Sequence, residues 1–175
     1  MSTQVSPVLN TNRLVLAVPS GSAESAIFEI HSDARTYEHR PDLIMKSREE
    51  ASALCNEWQH KWAEDGIGYF VVSRKDEKGA DTGNVIGFCG VRKSVEQGKD
   101  VLNVYYRFSP ESQGKGFARE ATTAAIEWGR KECPDLPVVA IIDPANTTSI
   151  RLAEKLGFTL DAGSGVPGDY DVYRL

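Results

Sequence analysis

Residues 113–118 of the sequence, Gln-Gly-Lys-Gly-Phe-Ala, form a glycine-rich turn between a predicted strand and a predicted helix. The first turn of a helix leaves backbone N–H groups without partners, and the helix dipole adds positive potential at the same place. Gly114 and Gly116 can adopt positive φ angles and let a bulky anion approach the backbone closely. These features together predict a cradle for a pyrophosphate group.

Other structures can contain the same two glycines. A tight turn that binds no ligand is one alternative. A dinucleotide-binding fingerprint is disfavoured, because Arg119 stands where its third glycine belongs and the preceding strand is predicted to lie in an antiparallel meander. A P-loop is disfavoured as well, because no Gly-Lys-Ser or Gly-Lys-Thr sequence follows the turn. A cradle for a phosphorylated cofactor is the interpretation that we favour.

The composition is typical of a globular protein with an acidic balance. The 175 residues predict one domain, with 41% hydrophobic and 26% charged residues. A net charge of −5 disfavours a nucleic-acid partner. No apolar run approaches the ~20 residues of a membrane span, and residues 1–12 lack the apolar region of a signal peptide. We therefore expect a cytoplasmic protein with no membrane partner, as a monomer or a homodimer.

The three cysteines predict neither a disulfide framework nor a metal site. Cys55, Cys89 and Cys133 are odd in number and include no CxxC pair, so no zinc site is expected. Cys55 falls on the apolar face of a predicted helix, and Cys89 lies inside a predicted strand. Both are interpreted as small hydrophobic residues of the core.

Hydrophobic periodicity divides the chain into a flexible lead-in at residues 1–12 and a single domain at residues 13–175. Strands are predicted at residues 13–18, 69–74, 85–92, 101–108, 138–142, 159–160 and 170–175. Helices are predicted at residues 23–32, after a capping box at residues 47–50, directly after the glycine-rich turn, and at residues 147–156. Polar loops at residues 75–83 and 93–100 are short, so the strands that they join must be antiparallel.

One pair of strands is predicted to be parallel. A helix separates residues 101–108 from residues 138–142, which requires a right-handed crossover between them. Neighbouring parallel strands can splay at such a crossover. Their backbone groups then become free to bind a ligand, directly beside the glycine-rich turn.

Three motifs resemble one known family. Residues 113–118 match the Q/R-x-x-G-x-G/A signature with which GNAT acetyltransferases hold the pyrophosphate of acetyl-CoA. Residues 143–149, Asp-Pro-Ala-Asn-Thr-Thr-Ser, followed by residues 154–158, Glu-Lys-Leu-Gly-Phe, resemble the second motif of that family. Residues 11–16, Thr-Asn-Arg-Leu-Val-Leu, resemble the opening of the Rim-type subgroup, the N-terminal acetyltransferases of ribosomal proteins. The resemblance covers residues 11–175.

This resemblance implies a GNAT fold of the α/β (α+β) class. Its mixed, mostly antiparallel sheet of six or seven strands is accompanied by about four helices and splays at the parallel pair. The resemblance also implies acetyl-CoA as the cosubstrate and no metal, with residues 113–118 on the pyrophosphate, Phe108 and Ser109 offering backbone to the pantetheine arm, and Asn146 and Ser149 beside the thioester. The candidate acetyl-CoA-binding residues are Phe108, Ser109, Gln113, Gly114, Lys115, Gly116, Phe117, Ala118, Asn146 and Ser149.

The implied reaction is acyl transfer from a thioester to an amine in a ternary complex, which needs a neutral amine and a proton donor for the thiolate. Asn103 stands where the subgroup often carries a Glu, and Ala153 where many relatives carry a Tyr acid. An Asn can orient an amine or a water but cannot act as a base. Ser149 is then the donor nearest the sulfur, although a Ser there can also simply satisfy the backbone. Ser149 and Asn103 are the catalytic candidates.

The missing base bears on the acceptor. An α-amine is roughly one-tenth neutral at pH 7, whereas a lysine amine is neutral in about one part in a few thousand. We therefore expect a peptide α-amine or a small-molecule amine, with Glu38 and His39 able to supply a base through water. The alternative function is an acyl-CoA-binding module with little turnover, favoured by Asn103 and Ala153. A relative that shares only the fold and binds no CoA is a third hypothesis.

Overall fold

The structure is a computed structural model that describes residues 6–163 and 170–175. Its single sheet has eight strands in the order β1-β2-β3-β4-β5-β6-β8-β7. The strands are β1 (Val8–Asn10), β2 (Leu14–Ala17), β3 (Tyr69–Lys75), β4 (Asp81–Glu96), β5 (Lys99–Phe108), β6 (Val138–Ile142), β7 (Thr159–Leu160) and β8 (Asp171–Arg174). The α-helices are α1 (Glu24–Ser32), α2 (Arg48–Asp65), α3 (Phe117–Glu132) and α4 (Thr147–Lys155).

The pairing of the strands confirms the predicted architecture. Only β5 and β6 are parallel, and every other neighbouring pair is antiparallel. The sheet has one strand more than the upper limit of our expectation. The sequence also predicts a flexible loop at Gly163-Ser164-Gly165, between the last two strands; residues 164 and 165 lie outside the described residues. No helix within the described ranges combines the length and the apolar character that crossing a bilayer requires.

The extra strand, Val8–Asn10, falls inside the predicted flexible lead-in at residues 1–12 and corrects that prediction for these three residues. Val8–Asn10 pairs antiparallel with β2, from Val8 opposite Ala17 to Asn10 opposite Val15. The strand has only three residues, too few for an alternating pattern to stand out in the sequence. Pairing with β2 stabilises this strand, and this pairing is a tertiary contact that the three residues do not reveal by themselves.

The loop predicted at residues 93–100 is also shorter than expected. β4 and β5 continue pairing as far as Glu96 opposite Lys99, so only Gln97 and Gly98 form the turn. Both have positive φ angles, 49° and 74° respectively. Two successive positive φ angles are the requirement of a two-residue type I′ hairpin. The polar residues that predicted a loop are instead the paired ends of β4 and β5 and the turn between them.

Helix α2 begins as its capping box predicts. The Ser47 hydroxyl accepts a hydrogen bond from the N–H of Glu50 at 3.2 Å. The Glu50 carboxylate accepts the N–H of Lys46 at 3.1 Å, one residue before the position that an ideal capping box uses. The helix ends at Gly66, whose left-handed conformation satisfies the N–H with the Trp62 carbonyl.

Helix α3 packs a face of small residues against the sheet. Ala121, Ala125 and Gly129 are buried on this face. A Cβ added at Gly129 would lie 2.3 Å from Cγ2 of Val91 on β4, so the helix approaches the sheet more closely than a larger residue allows. This close packing fixes the N-terminus of α3 beside the end of β5.

The parallel pair diverges, which confirms the predicted splay. Only Leu102 opposite Val138 and Asn103 opposite Val139 are paired between β5 and β6. Both strands continue beyond these positions without further pairing to each other among the described residues. The Tyr106 hydroxyl donates a 2.7 Å hydrogen bond to the carbonyl oxygen of Ser149 on α4 and so bridges the opening.

Candidate active site

A cavity of about 650 Å³ opens where β5 and β6 diverge. One wall is the glycine-rich turn with the start of α3, and a second is the start of α4 with residues 145–149. A third consists of Arg107 on β5 and the segment that follows α1, including Glu38 and His39. The cavity therefore combines backbone groups from two helix starts with charged side chains from distant parts of the sequence.

Eight of the ten candidate acetyl-CoA-binding residues line this cavity. They are Phe108, Gln113, Gly114, Gly116, Phe117, Ala118, Asn146 and Ser149. Ser109 and Lys115 lie instead on the other side of the turn, beside a second cavity of about 440 Å³. The N–H of Ser109 donates to the carbonyl oxygen of Ile86 at 2.8 Å, and the Lys115 ammonium donates to that of Glu111 at 2.8 Å. The structure does not bring these two residues to the first cavity.

The backbone of the glycine-rich turn has a run of free donors. The N–H of Gln113 bonds to Pro110 and that of Glu120 bonds to Gly116, at 3.2 and 3.0 Å. Between them, the six N–H groups of residues 114–119 donate no hydrogen bond to any described residue. The N-cap Gly116 contributes no side chain to α3, so the positive end of the helix is open. Such a site binds an anion such as a diphosphate.

Three cations add to the positive potential, and our prediction missed them. Arg119 on α3 and Arg151 and Lys155 on α4 line the cavity, and none of them forms an ion pair with a described residue. Arg151 and Lys155 are four residues apart and hence share one face of α4. The four-residue spacing is visible in the sequence. It indicates an anion-binding surface only when the structure shows that α4 lies beside the glycine-rich turn.

Thr11 and Arg13, in the Thr-Asn-Arg-Leu segment at residues 11–14, contact the glycine-rich turn and the first turn of α3. Arg13 donates from Nη1 to the Lys115 carbonyl at 3.0 Å and from Nε to the Glu120 carboxylate at 2.7 Å. Its guanidinium lies 4.4 Å from the centre of the Phe117 ring. The Thr11 hydroxyl also donates to Glu120, at 2.6 Å. Arg13 therefore holds a carbonyl inside the turn that carries the free N–H groups.

We expect Arg13→Ala to raise the KM for acetyl-CoA about tenfold with a smaller change in kcat, because a hydrogen bond from a charged group contributes about 1.5–3 kcal/mol. Steady-state kinetics measure the effect. Arg48→Ala is the matched control, since Arg48 also stacks on a phenyl ring, Phe28, at 5.1 Å but lies on α2 away from the cavity. An unchanged KM in Arg13→Ala would show that the turn keeps its geometry unaided.

The start of α4 presents three hydroxyls to the cavity, those of Thr147, Thr148 and Ser149, and none of them makes a hydrogen bond to a described residue. Asn146 is the N-cap and accepts the N–H of Ser149 at 3.1 Å. The Ser149 carbonyl accepts the Tyr106 hydroxyl, and burial raises the pKa of Tyr106 well above its ordinary value, so the phenol stays neutral. Oγ of Ser149 makes no hydrogen bond to the described residues and lines the cavity. Ser149 therefore has a donor available for a ligand, whereas the Asn146 amide oxygen is already engaged.

The other catalytic candidate lies elsewhere. Asn103 does not line the cavity, and its Oδ1 is buried without a hydrogen-bond partner in the described chain. It occupies the last paired position of the parallel strands, opposite Val139. The structure therefore does not bring Asn103 and Ser149 together. Ala153, which replaces the expected Tyr, is fully buried in the core beside Phe158.

Glu38 and His39, our candidates for a base, both line the cavity. Partial burial lowers the pKa of His39, Asp143 raises it, and Arg107 and Arg40 lower it again, with a net decrease. A His with a lowered pKa is neutral at pH 7 and can accept a proton. Arg107 donates from Nη1 to the Thr36 carbonyl at 2.7 Å and thereby connects β5 to this segment.

Comparison with known proteins agrees with this geometry. The protein named uncharacterized protein YkkB of Bacillus subtilis (strain 168) is 34% identical over 122 residues, which are 67% of this chain and 68% of YkkB. The crystal structure of the acetyltransferase from Agrobacterium tumefaciens str. C58 has the same fold, with a TM-score of 0.79 and 22% identity over 97% of this chain and 94% of that one.

A second solved structure is RimL, the ribosomal L7/L12 alpha-N-protein acetyltransferase, in complex with coenzyme A. It has a TM-score of 0.67 and 15% identity, with 96% of this chain and 95% of that one covered. At such identities the likeness concerns the fold alone. Residues 13–159 match the family described as Acetyltransferase (GNAT) domain. The protein thus belongs to the GNAT family of acetyltransferases and is an acyltransferase enzyme of the N-acetyltransferase type.

Proposed function

We propose that this enzyme transfers the acetyl group of acetyl-CoA to a primary amine, either a peptide α-amine or a small-molecule amine, by direct attack in a ternary complex. The run of free N–H groups at residues 114–119 carries the proposal, because five of these six residues line the cavity between the diverging strands. We also propose that residues 13–175, together with the strand at Val8–Asn10, form one domain, and that the protein is cytoplasmic and a monomer or a homodimer.

The donors of the cavity fit acetyl-CoA. The free N–H groups of the glycine-rich turn would bind the diphosphate, and Arg119, Arg151 and Lys155 would balance the remaining phosphate charge. The pantetheine arm would then extend along the unpaired end of β5 near Phe108, where the strand has no parallel partner. In this arrangement the thioester comes to the start of α4, beside Ser149.

The cavity contains side chains that could accept the proton of the amine and donate a proton to the sulfur. The amine nitrogen forms a bond to the carbonyl carbon, the C–S bond breaks, and the sulfur leaves as a thiolate that takes a proton. His39, which is neutral at pH 7, or Glu38 would accept the proton of the attacking amine, directly or through water. The free hydroxyl of Ser149 would donate to the sulfur. A catalytic role of Asn103 stays a prediction. Because Asn103 does not line the cavity, it would have to act on the substrate through neighbouring residues of β5.

We propose that the protein belongs to the Rim-type subgroup of this family. Support comes from the Thr-Asn-Arg-Leu opening, in which Thr11 and Arg13 contact Glu120 and the glycine-rich turn. The likeness to RimL adds only that the fold is compatible. An acyl-CoA-binding module with little turnover is the second candidate, and the burial of Ala153 and the position of Asn103 outside the cavity favour it.

A turnover assay with paired amines tests the proposal. Release of free thiol from acetyl-CoA is measured with peptides whose only amine is the N-terminus, with N-terminally blocked lysine peptides, and with small amines. We expect α-amines to react about 100-fold faster than lysine side chains at pH 7, because of their larger neutral fraction. Faster acetylation of lysine would overturn the acceptor class. Acetyl-CoA binding by calorimetry without thiol release would indicate the binding module, and no binding would indicate a relative in fold only.

A further inference from the structure

Two opposite charges on the third wall of the cavity lack partners. Arg35 on this wall is neutralised, because it contacts Asp33 and Glu111 at 2.6 Å each. Arg107 and Glu38 also line the cavity, but neither forms an ion pair with a described residue. Unpaired charges of both signs in one cavity are a pattern that a ligand with both charges would complement.

The guanidinium of Arg107 is held in place with donors to spare. Its carbon lies 3.8 Å from the centre of the Tyr37 ring, and Nη1 donates to the Thr36 carbonyl at 2.7 Å. Nε is buried without a hydrogen-bond partner in the described part of the chain. An Arg has five N–H donors, and a planar guanidinium on an aromatic ring is well placed for bidentate binding of a carboxylate.

Glu38 and His39 follow directly in the segment that Arg107 contacts. A carboxylate at Glu38 would attract an ammonium group into the cavity, and His39 beside it would remove one proton before the attack. Arg107 lies next to Phe108 on β5, at the unpaired end of the strand where the proposed pantetheine path runs. An anion on Arg107 would therefore hold the attached amine within the same cavity as the thioester.

We propose that the acceptor is a small zwitterion that carries a carboxylate next to its primary amine, of the α-amino acid class, with its carboxylate on Arg107 and its ammonium at Glu38. The proposal rests on the proposed function and narrows its acceptor. The ammonium loses one proton to His39 or Glu38, the free amine forms the N–C bond as the C–S bond breaks, and the second proton that the nitrogen releases is balanced by the proton that the leaving thiolate takes up. A peptide N-terminus has an amide in place of the carboxylate and lacks the contact with Arg107.

Matched substrates test this inference on the wild-type enzyme. kcat/KM is compared for free α-amino acids, their carboxamides and the corresponding amines without a carboxyl group. We expect the free acids to exceed the carboxamides about 10- to 100-fold, since one charge-assisted contact contributes about 1.5–3 kcal/mol. The amine of a carboxamide has the lower pKa, so its intrinsic reactivity works against this preference. A preference for the acid therefore reports on binding of the carboxylate.

Variants locate the contact. In Arg107→Gln the ratio of kcat/KM between acid and carboxamide is expected to fall to about 1, and Arg107→Lys is expected to keep part of it. Arg92→Gln is the control, because Arg92 also stacks on a tyrosine ring, Tyr69 at 5.3 Å, but lies outside the cavity. Calorimetry with acetyl-CoA shows whether each variant is folded and binds the donor.

The outcomes separate the two proposals. Equal or faster turnover of carboxamides and peptides by the wild-type enzyme would overturn the zwitterionic acceptor and leave the proposed function intact. An unchanged acid-to-carboxamide ratio in Arg107→Gln would overturn the role of Arg107. If no amine of any class releases thiol from acetyl-CoA, both proposals are wrong.

Discussion

The Gly116→Val variant is expected to lose about 100-fold or more in affinity for acetyl-CoA, measured by calorimetry. Gly116 is the N-cap of α3 and has a φ of +78°. A β-branched residue is strongly disfavoured at such a φ, so the turn would change its backbone conformation and redirect the free N–H groups beside it. Loss of two hydrogen bonds to a charged diphosphate, at about 1.5–3 kcal/mol each, accounts for the effect.

Gly79→Val is the matched control for this variant. Gly79 has a φ of +82°, lies in the loop between β3 and β4, and has no atom within 4 Å of an added Cβ. Both substitutions introduce the same kind of backbone strain, so we expect similar losses in the free energy of unfolding. Only Gly116→Val should lose affinity for acetyl-CoA. Equal affinities of the two variants would mean that the turn is not the diphosphate site.

The Gly90→Ala variant is expected to lose about 3 kcal/mol in the free energy of unfolding, which lowers Tm by about 6–12 °C. A Cβ at this position in β4 would lie 2.4 Å from the carbonyl oxygen of Gly68 and 2.8 Å from Cα of Tyr69. Both atoms belong to the backbone, so no side-chain rotation relieves the clash and β3 must move. Urea and thermal unfolding measure the loss.

Gly21→Ala provides the comparison. An added Cβ at Gly21 meets no atom within 4 Å, and its φ is not in the left-handed region. We expect its free energy of unfolding to stay within about 0.5 kcal/mol of the wild type. Because Gly90 also pairs with Tyr105 on β5, the Gly90→Ala variant should disturb the strand that carries Arg107 as well. Wild-type stability in Gly90→Ala would contradict the tight approach of β3 and β4.

The features that were predicted from the sequence are local ones. The capping box at Ser47, the helix after the glycine-rich turn and the crossover between β5 and β6 each depend on residues close together in the chain or on chain connectivity. For the same reason the turn itself was recognisable: its glycines determine the backbone conformation within a few residues. Periodicity and turn chemistry are sufficient for such elements.

The features that were missed depend on tertiary contacts. The strand at Val8–Asn10 exists because β2 is its neighbour, and nothing in its own three residues requires it. Arg107 differs from the other arginines only in what surrounds it, namely the Tyr37 ring and the Thr36 carbonyl. Asn103 was assigned by its position in a motif, whereas its exclusion from the cavity follows from its place in the sheet. Sequence spacing alone does not contain this information.

The contact between Arg13 and the Lys115 carbonyl also has a consequence for how the protein folds. These residues are 102 positions apart in the chain, so the contact closes only when the beginning of the polypeptide meets a segment made much later. Long-range contacts of this kind form late, after the entropy of a large loop has been overcome. We therefore expect nascent or partly folded chains to bind acetyl-CoA more weakly than the folded protein. Acetyl-CoA that binds only the folded chain would in turn add its binding free energy to the stability of the fold, which links β2 to the start of α3 through this contact.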